Sequence, residues 1–142
     1  MNIYVASSWR NSFQPQVVAR LRAEGHDVYD FKNPAPDNKG FHWSDIDPDW
    51  KNWTGPQFRE GLDNLIAIDG FNLDMNALKA CDACVLVLPC GRSAHLELGW
   101  ACGAGKRTVV LLDGQNEPEL MYRMVDKICV SLDEVAGFLG KG

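Results

Sequence analysis

The sequence predicts a single α/β domain with a parallel five-stranded sheet, and three observations carry that prediction. Short β-branched runs alternate with helical stretches along all 142 residues. Several runs, such as Val85–Leu88, are apolar throughout, as strands covered on both faces must be. Polar turns follow the first and third runs, Ser7–Asn11 and Cys90–Ser93. Strands alternating with helices place helices on both faces of a parallel sheet. Five strands suit the flavodoxin/Rossmann-like order 2-1-3-4-5, whose switch point lies between strands one and three. The two polar turns then face each other across that crevice.

Asn2–Ala6 is the first buried strand. A helix follows Ser7–Asn11, with Pro15 suited to its start, Val17, Val18 and Leu21 at helical spacing, and Gly25 as its stop. His26–Phe31 alternates as the second strand. Lys32–Gly55 is a long connection rich in Pro, Asp and Trp, and a loop of that length is functional or mobile. Pro56 to about Ile68 is helical, with Phe58, Leu62, Leu65 and Ile66 on one face, and a second helical piece runs from Phe71 to Ala80. Ala83–Leu88 is strand three, and a helix follows from Arg92 or Ser93 to about Ala104, ended by Gly105 and Lys106. Thr108–Leu112 is strand four. Met121, Tyr122 and Met124 fall in a short helix or turn. Ile128–Val130 is the last strand, and Leu132–Leu139 closes the chain as a helix with Ser131 as N-cap and Glu134 completing a capping box.

Composition narrows the functional classes. With 46% hydrophobic and 23% charged residues, the chain has the make-up of a soluble globular domain. A net charge of −5 argues against a nucleic-acid polymer as partner, because that calls for a basic face. A small anion could still be held locally by Arg92. No apolar run approaches the roughly 20 residues needed to cross a bilayer, and the start of the chain has no signal-peptide pattern, so no membrane partner and a cytoplasmic location are expected. The five cysteines are odd in number. Cys81-Asp-Ala-Cys84 closes a helix and enters a strand, whereas a redox CxxC opens a helix. Zinc would need a second ligand pair at suitable spacing. Buried structural thiols and no metal site are expected.

The chemistry concentrates in Val85 to Trp100. Here a strand stops at Pro89, a turn carries Gly91, and a helix opens with Arg92 and Ser93 ahead of Glu97. This places backbone N–H groups, a hydroxyl and a guanidinium at the carboxyl edge of the sheet, where anions and sugars bind. Arg92 and Ser93 suit a phosphate, or are a solvated arginine and a helix cap. Glu97 sits in an otherwise apolar helix and must face solvent or a functional cleft, since burying it unpaired is expensive. Tyr4 lies among apolar strand residues, and its hydroxyl needs a partner there. Asp74 stands in a polar interruption of buried-looking helix, Asp82 is a turn residue, and His95 is a helix-face residue. Trp43, Trp50 and Trp53 could stack on a planar base, or form a satellite core or a subunit contact.

Assembled, these residues resemble the nucleoside 2-deoxyribosyltransferase-like family, which includes nucleoside 5′-phosphate N-glycosidases. Ile3-Tyr-Val-Ala-Ser-Ser-Trp9 is similar to the family's first strand and substrate turn. Asn72 to Asp82 is similar to its Asp-containing helix, and His95-Leu-Glu-Leu-Gly99 to its Glu-Leu-Gly signature. The similarity runs from Met1 to about Leu112 and is weakest over residues 32–55. It implies N-glycosidic cleavage of a nucleotide or nucleoside within one domain spanning residues 1–142, no cofactor, and a homo-oligomer. Glu97 matches the nucleophile that attacks C1′, Tyr4 the residue that orients it, and Asp74 a candidate acid for the leaving base. Ser7, Ser8, Trp9, Gly91, Arg92 and Ser93 fall at substrate-binding positions, Trp43 joins them as a ring suited to stacking on the base, and Ser93 with Arg92 hints at a 5′-phosphate. The transferases carry an acidic residue six positions before the nucleophile, where this chain has Gly91, which favours hydrolysis over base transfer. Their C-terminal segment, which completes a neighbour's site, has no recognisable version in Leu132–Gly142. Two other readings compete: a Toll/interleukin-1-receptor-type domain cleaving NAD, and a non-catalytic nucleotide-sensing or interaction domain, for which Glu97 should point away from the crevice. A phosphoribohydrolase fits less well, because Pro89-Cys-Gly91 lacks that motif's glycines.

Overall fold

Five parallel strands form one sheet in the order β2-β1-β3-β4-β5, as the alternation predicts. In the computed structural model, which describes residues 1–142, they are β1 (Asn2–Ala6), β2 (Asp27–Asp30), β3 (Ala83–Val87), β4 (Arg107–Leu111) and β5 (Lys127–Cys129). The helices are α1 (Gln14–Ala23), α2 (Gly55–Leu62), α3 (Leu65–Ala80), α4 (Arg92–Gly103) and α5 (Leu132–Leu139). The chain divides into two compact units. Unit 1 comprises Met1–Asp30 and Leu78–Gly142, and unit 2 comprises Phe31–Ala77.

The sheet lies in unit 1, and its two faces follow from the period-two alternation of strand side chains. Ile3 and Val5 of β1 join Val85, Val87, Val109 and Leu111 in a core closed by Val17, Val18 and Leu21 of α1 and by Val135 and Leu139 of α5. The intervening residues, Tyr4 and Ala6, are equally buried and point to the other face. There α4 packs across β1, β3 and β4, burying Ala94, Leu98 and Ala101. These positions recur at four and three residues, the stripe of an amphipathic helix. Glu97 falls inside that stripe, and so it is directed at the sheet.

Strand ends differ from the sequence reading by a residue or so. β3 stops at Val87, two residues ahead of Pro89, which has no N–H to give to a sheet ladder. At α5 the predicted cap is half realised. Ser131 accepts from the Glu134 N–H, but the Glu134 carboxylate accepts from the Val130 N–H and not from that of Ser131.

Unit 2 corrects the sequence reading more. The expected helix break at Asp69–Gly70 falls instead at Asp63–Asn64, and α3 runs through Gly70 without interruption. Asn64 starts α3 by accepting from the Ile66 N–H through its side chain. Gly70 serves packing: a Cβ there would stand 3.1 Å from Phe41. Three half-buried rings of the long connection pack together, with Trp43 edge-on to both Phe41 (4.7 Å between centroids) and Trp53 (5.8 Å), whereas Trp50 is exposed. Trp53 lies against Gly61, where a Cβ would clash with the indole, and its Nε1 donates to Asp47. That bond holds the Asp47 carboxyl below the usual carboxylate range. Phe58, Leu62, Leu65 and Ile66, predicted as one apolar face, are all exposed.

Candidate active site

Tyr4 is fully buried in the middle of β1, hydrogen-bonded into the sheet between Tyr29 of β2 and Cys84 of β3. Its ring stacks on Tyr29 with centroids 5.2 Å apart and planes 18° from parallel. A phenol so placed needs a polar partner, and it has one: the Tyr4 hydroxyl donates to Oε2 of Glu97. The half-buried Glu97 carboxylate is thereby fixed against the sheet face, in the second turn of α4. The outward orientation expected of a non-catalytic domain is not the one adopted.

The β3–α4 turn is open. Gly91, Arg92 and Ser93 are all exposed, and Gly91 is the N-cap of α4 with no side chain capping the helix. Ser93 is therefore not the cap that the sequence reading allowed it to be; it is the second residue of the helix, one turn above Glu97 on the same face. The first N–H groups of α4 have no partner within the helix. The φ of Gly91 is −99°, accessible to any residue, and no atom lies within 4 Å of the place a Cβ would take. Neither backbone nor packing requires glycine here. Its effect is to leave the end of α4 approachable.

The β1–α1 turn is closed. Ser7 is buried and donates to the Val87 carbonyl at 2.9 Å. The Ser8 hydroxyl accepts from the Arg10 N–H, and Trp9 is exposed at the tip. Asn11, which sequence reasoning passed over, organises the whole switch point. Its Nδ2 donates to the carbonyls of Val87 and Pro89, and its Oδ1 accepts from the N–H groups of Phe13 and Gln14. One buried amide thus joins the two turns on either side of the crevice. Its only sequence signal is an Asn three residues ahead of a helical pattern.

Cys81, Cys84 and Cys129 are buried, and burial pushes their thiols above the usual range. Cys90, beside the open turn, is pushed up to about 11 by burial and by the charge of Glu97. The burial expected of the thiols therefore holds for Cys81, Cys84 and Cys129, whereas Cys90 and Cys102 are only half-buried. Two predicted site residues belong to unit 2. Trp43 is engaged with the rings of Phe41 and Trp53. Asp74 of α3 lines a cavity of about 210 Å³ with Asp45 and Asp69, walled by Phe31, Phe41 and Leu73. No helix is long and apolar enough to cross a membrane.

No family model matches the sequence, and no curated protein does. Solved structures match nearly the whole chain. A 2-deoxyribosyltransferase from the psychrotolerant bacterium Bacillus psychrosaccharolyticus is similar with a TM-score of 0.56 at 18% identity, over 94% of this chain and 88% of that one. The CMP N-glycosidase BcmB of Clostridium botulinum is similar with a TM-score of 0.53 at 19% identity, over 96% of each chain. At such identities the likeness is one of architecture, and it agrees with the family that the motifs resemble. The chain has the α/β fold of these 2-deoxyribosyltransferase and N-glycosidase structures.

Proposed function

We propose that this chain cleaves the N-glycosidic bond of a nucleotide, with Glu97 as the nucleophile. The observation that carries the reading is the Tyr4–Glu97 hydrogen bond at the foot of an open helix N-terminus. A buried phenol donating to one carboxylate oxygen holds the other in a fixed direction, as attack on a single carbon demands.

In the proposed step, a Glu97 oxygen bonds to C1′ as the C1′–N bond breaks, and the bonding pair leaves with the base. The carboxylate faces a transition state of oxocarbenium character, as in retaining glycosidases. Water then cleaves the glycosyl ester, releasing the sugar phosphate and restoring the carboxylate. For Asp74 the proposal rests on the motif alone, as the acid that protonates the departing base. Arg92, Ser93 and the first N–H groups of α4 suit a 5′-phosphate. Ser93 stands one turn from Glu97, a spacing that favours a ligand whose anion lies a few bonds from its reacting carbon. Gly91, where the transferases carry an acid, favours hydrolysis over base exchange and keeps negative charge away from that phosphate.

The test is incubation with nucleoside monophosphates, nucleosides and NAD, with chromatographic detection of the released base, for the wild type and for Glu97→Gln. The expected result is base release from a monophosphate that falls on the order of 1,000-fold or more in Glu97→Gln while the fold is retained. Near-wild-type turnover in that variant would remove Glu97 as nucleophile, and release from NAD alone would redirect the substrate assignment.

A further inference from the structure

A cluster outside the reacting groups bears on the open turn. His95 of α4 bonds through Nδ1 to the Gly91 carbonyl at 2.8 Å and through Nε2 to the Tyr122 hydroxyl at 2.7 Å. Its ring lies 5.8 Å from the Tyr122 ring, with planes 11° from parallel. Tyr122 comes from the helical turn Leu120–Met124, between β4 and β5. A carbonyl can only accept, so Nδ1 carries the proton. In the neutral ring Nε2 must then accept, and the Tyr122 phenol donates. Burial keeps that phenol protonated beyond its usual range, as a donor must be.

The Gly91 carbonyl already accepts the first helical N–H bond of α4, and His95 adds a second donor. The Gly91–Arg92 peptide is trans, so its N–H points opposite to its C=O. Two donors holding the carbonyl fix the Arg92 N–H outward, off the end of α4. We infer that His95 and Tyr122 are positioning residues for the phosphate-binding turn: Tyr122 sets the His95 tautomer, and His95 holds the Gly91 carbonyl so that the Arg92 N–H faces the anion. The inference rests on the phosphate part of the proposed function.

The experiment uses the full chain with inorganic phosphate and with a hydrolysed nucleoside monophosphate. Nitrogen-15 NMR of the His95 ring is expected to find the proton on Nδ1 in the wild type. Phosphate affinity, followed at the Arg92 and Ser93 amides, is expected to fall about 3- to 10-fold in Tyr122→Phe and His95→Ala. His95→Asn, which can still place a donor near Nδ1, should recover most of that loss. With substrate, KM should rise for the monophosphate and not for the corresponding nucleoside, whereas a merely structural role raises both alike. A protonated Nε2 in the wild type, no phosphate binding by the wild type, or unchanged phosphate affinity in both variants overturns the inference. A wild type that releases no base, but whose phosphate affinity falls in the variants as described, defeats the glycosidase reading and supports this one.

Discussion

The turns leaving β1 and β3 look alike in the sequence, each a few polar residues between a buried strand and a helix. Folded, they are opposites. In Ser7–Asn11 the polar side chains turn inward: Ser7 and Asn11 are buried on the backbone of β3 and of the turn that follows it. In Cys90–Ser93 the side chains of Arg92 and Ser93 stand exposed, and the helix they begin has no side-chain cap. A buried polar group must find its partners within the protein, so the first turn is scaffold. A helix start left without a cap keeps its N–H groups available for a ligand, so the second is suited to recognition. Polarity alone does not separate these cases, because what decides is where the partners lie.

The largest effect that separates the two turns should come from Asn11→Ala. It leaves the Val87 and Pro89 carbonyls and the Phe13 and Gln14 N–H groups each short of a partner. Four bonds worth roughly 0.5–1.5 kcal/mol each, some of them in buried surroundings, make a loss of about 2–6 kcal/mol of stability. Urea denaturation checks this, and a midpoint unchanged from wild type would show that Asn11 is not the tie described.

Why the sequence revealed one part of this and not another follows from the range of the interactions. The strands, α1, α4 and α5 were legible because apolar periodicity, Pro15 and Gly25 are local signals. Tyr4 and Glu97 were each legible as polar groups in apolar elements, although they lie 93 residues apart. Asn11 was not, because its partners lie 76 and 78 residues along the chain and nothing near Asn11 announces them. Gly70 misled for a related reason. Glycine is a helix breaker on local grounds, and only the approach of Phe41 explains one in mid-helix. Tyr122 was legible as part of a short turn, but its role depends on a histidine 27 residues earlier.

Arg92→Ala and Ser93→Ala should behave in the opposite way to Asn11→Ala. Both side chains are exposed, so each variant is expected to keep its denaturation midpoint close to that of wild type. Loss of a charge-assisted contact should raise KM for a nucleoside monophosphate by about 10- to 150-fold, with little change for the unphosphorylated nucleoside. Steady-state kinetics on the matched pair of substrates measures the split. Equal losses on both would mean that the open turn does not read phosphate.

The smallest expected change is the sharpest on the difference between the turns. Gly91 is the N-cap of α4, and serine is a better residue at that position. The φ of −99° admits a side chain, and no neighbour crowds the Cβ. Gly91→Ser should therefore raise stability slightly, by a few tenths of a kcal/mol, as its hydroxyl accepts from an N–H in the first turn of α4. That N–H is among those the proposed function gives to phosphate, and the new side chain also stands where the anion approaches. Stability and nucleotide binding should then move in opposite directions: a melting temperature equal to or above that of wild type, with a higher KM for the monophosphate and an unchanged KM for the nucleoside. Calorimetry and the paired-substrate assay together read this. A serine that leaves both KM values untouched would mean that the first turn of α4 is not the anion site. A serine that lowers stability would mean that glycine is needed there for the fold, contrary to its unremarkable backbone angles and open surroundings.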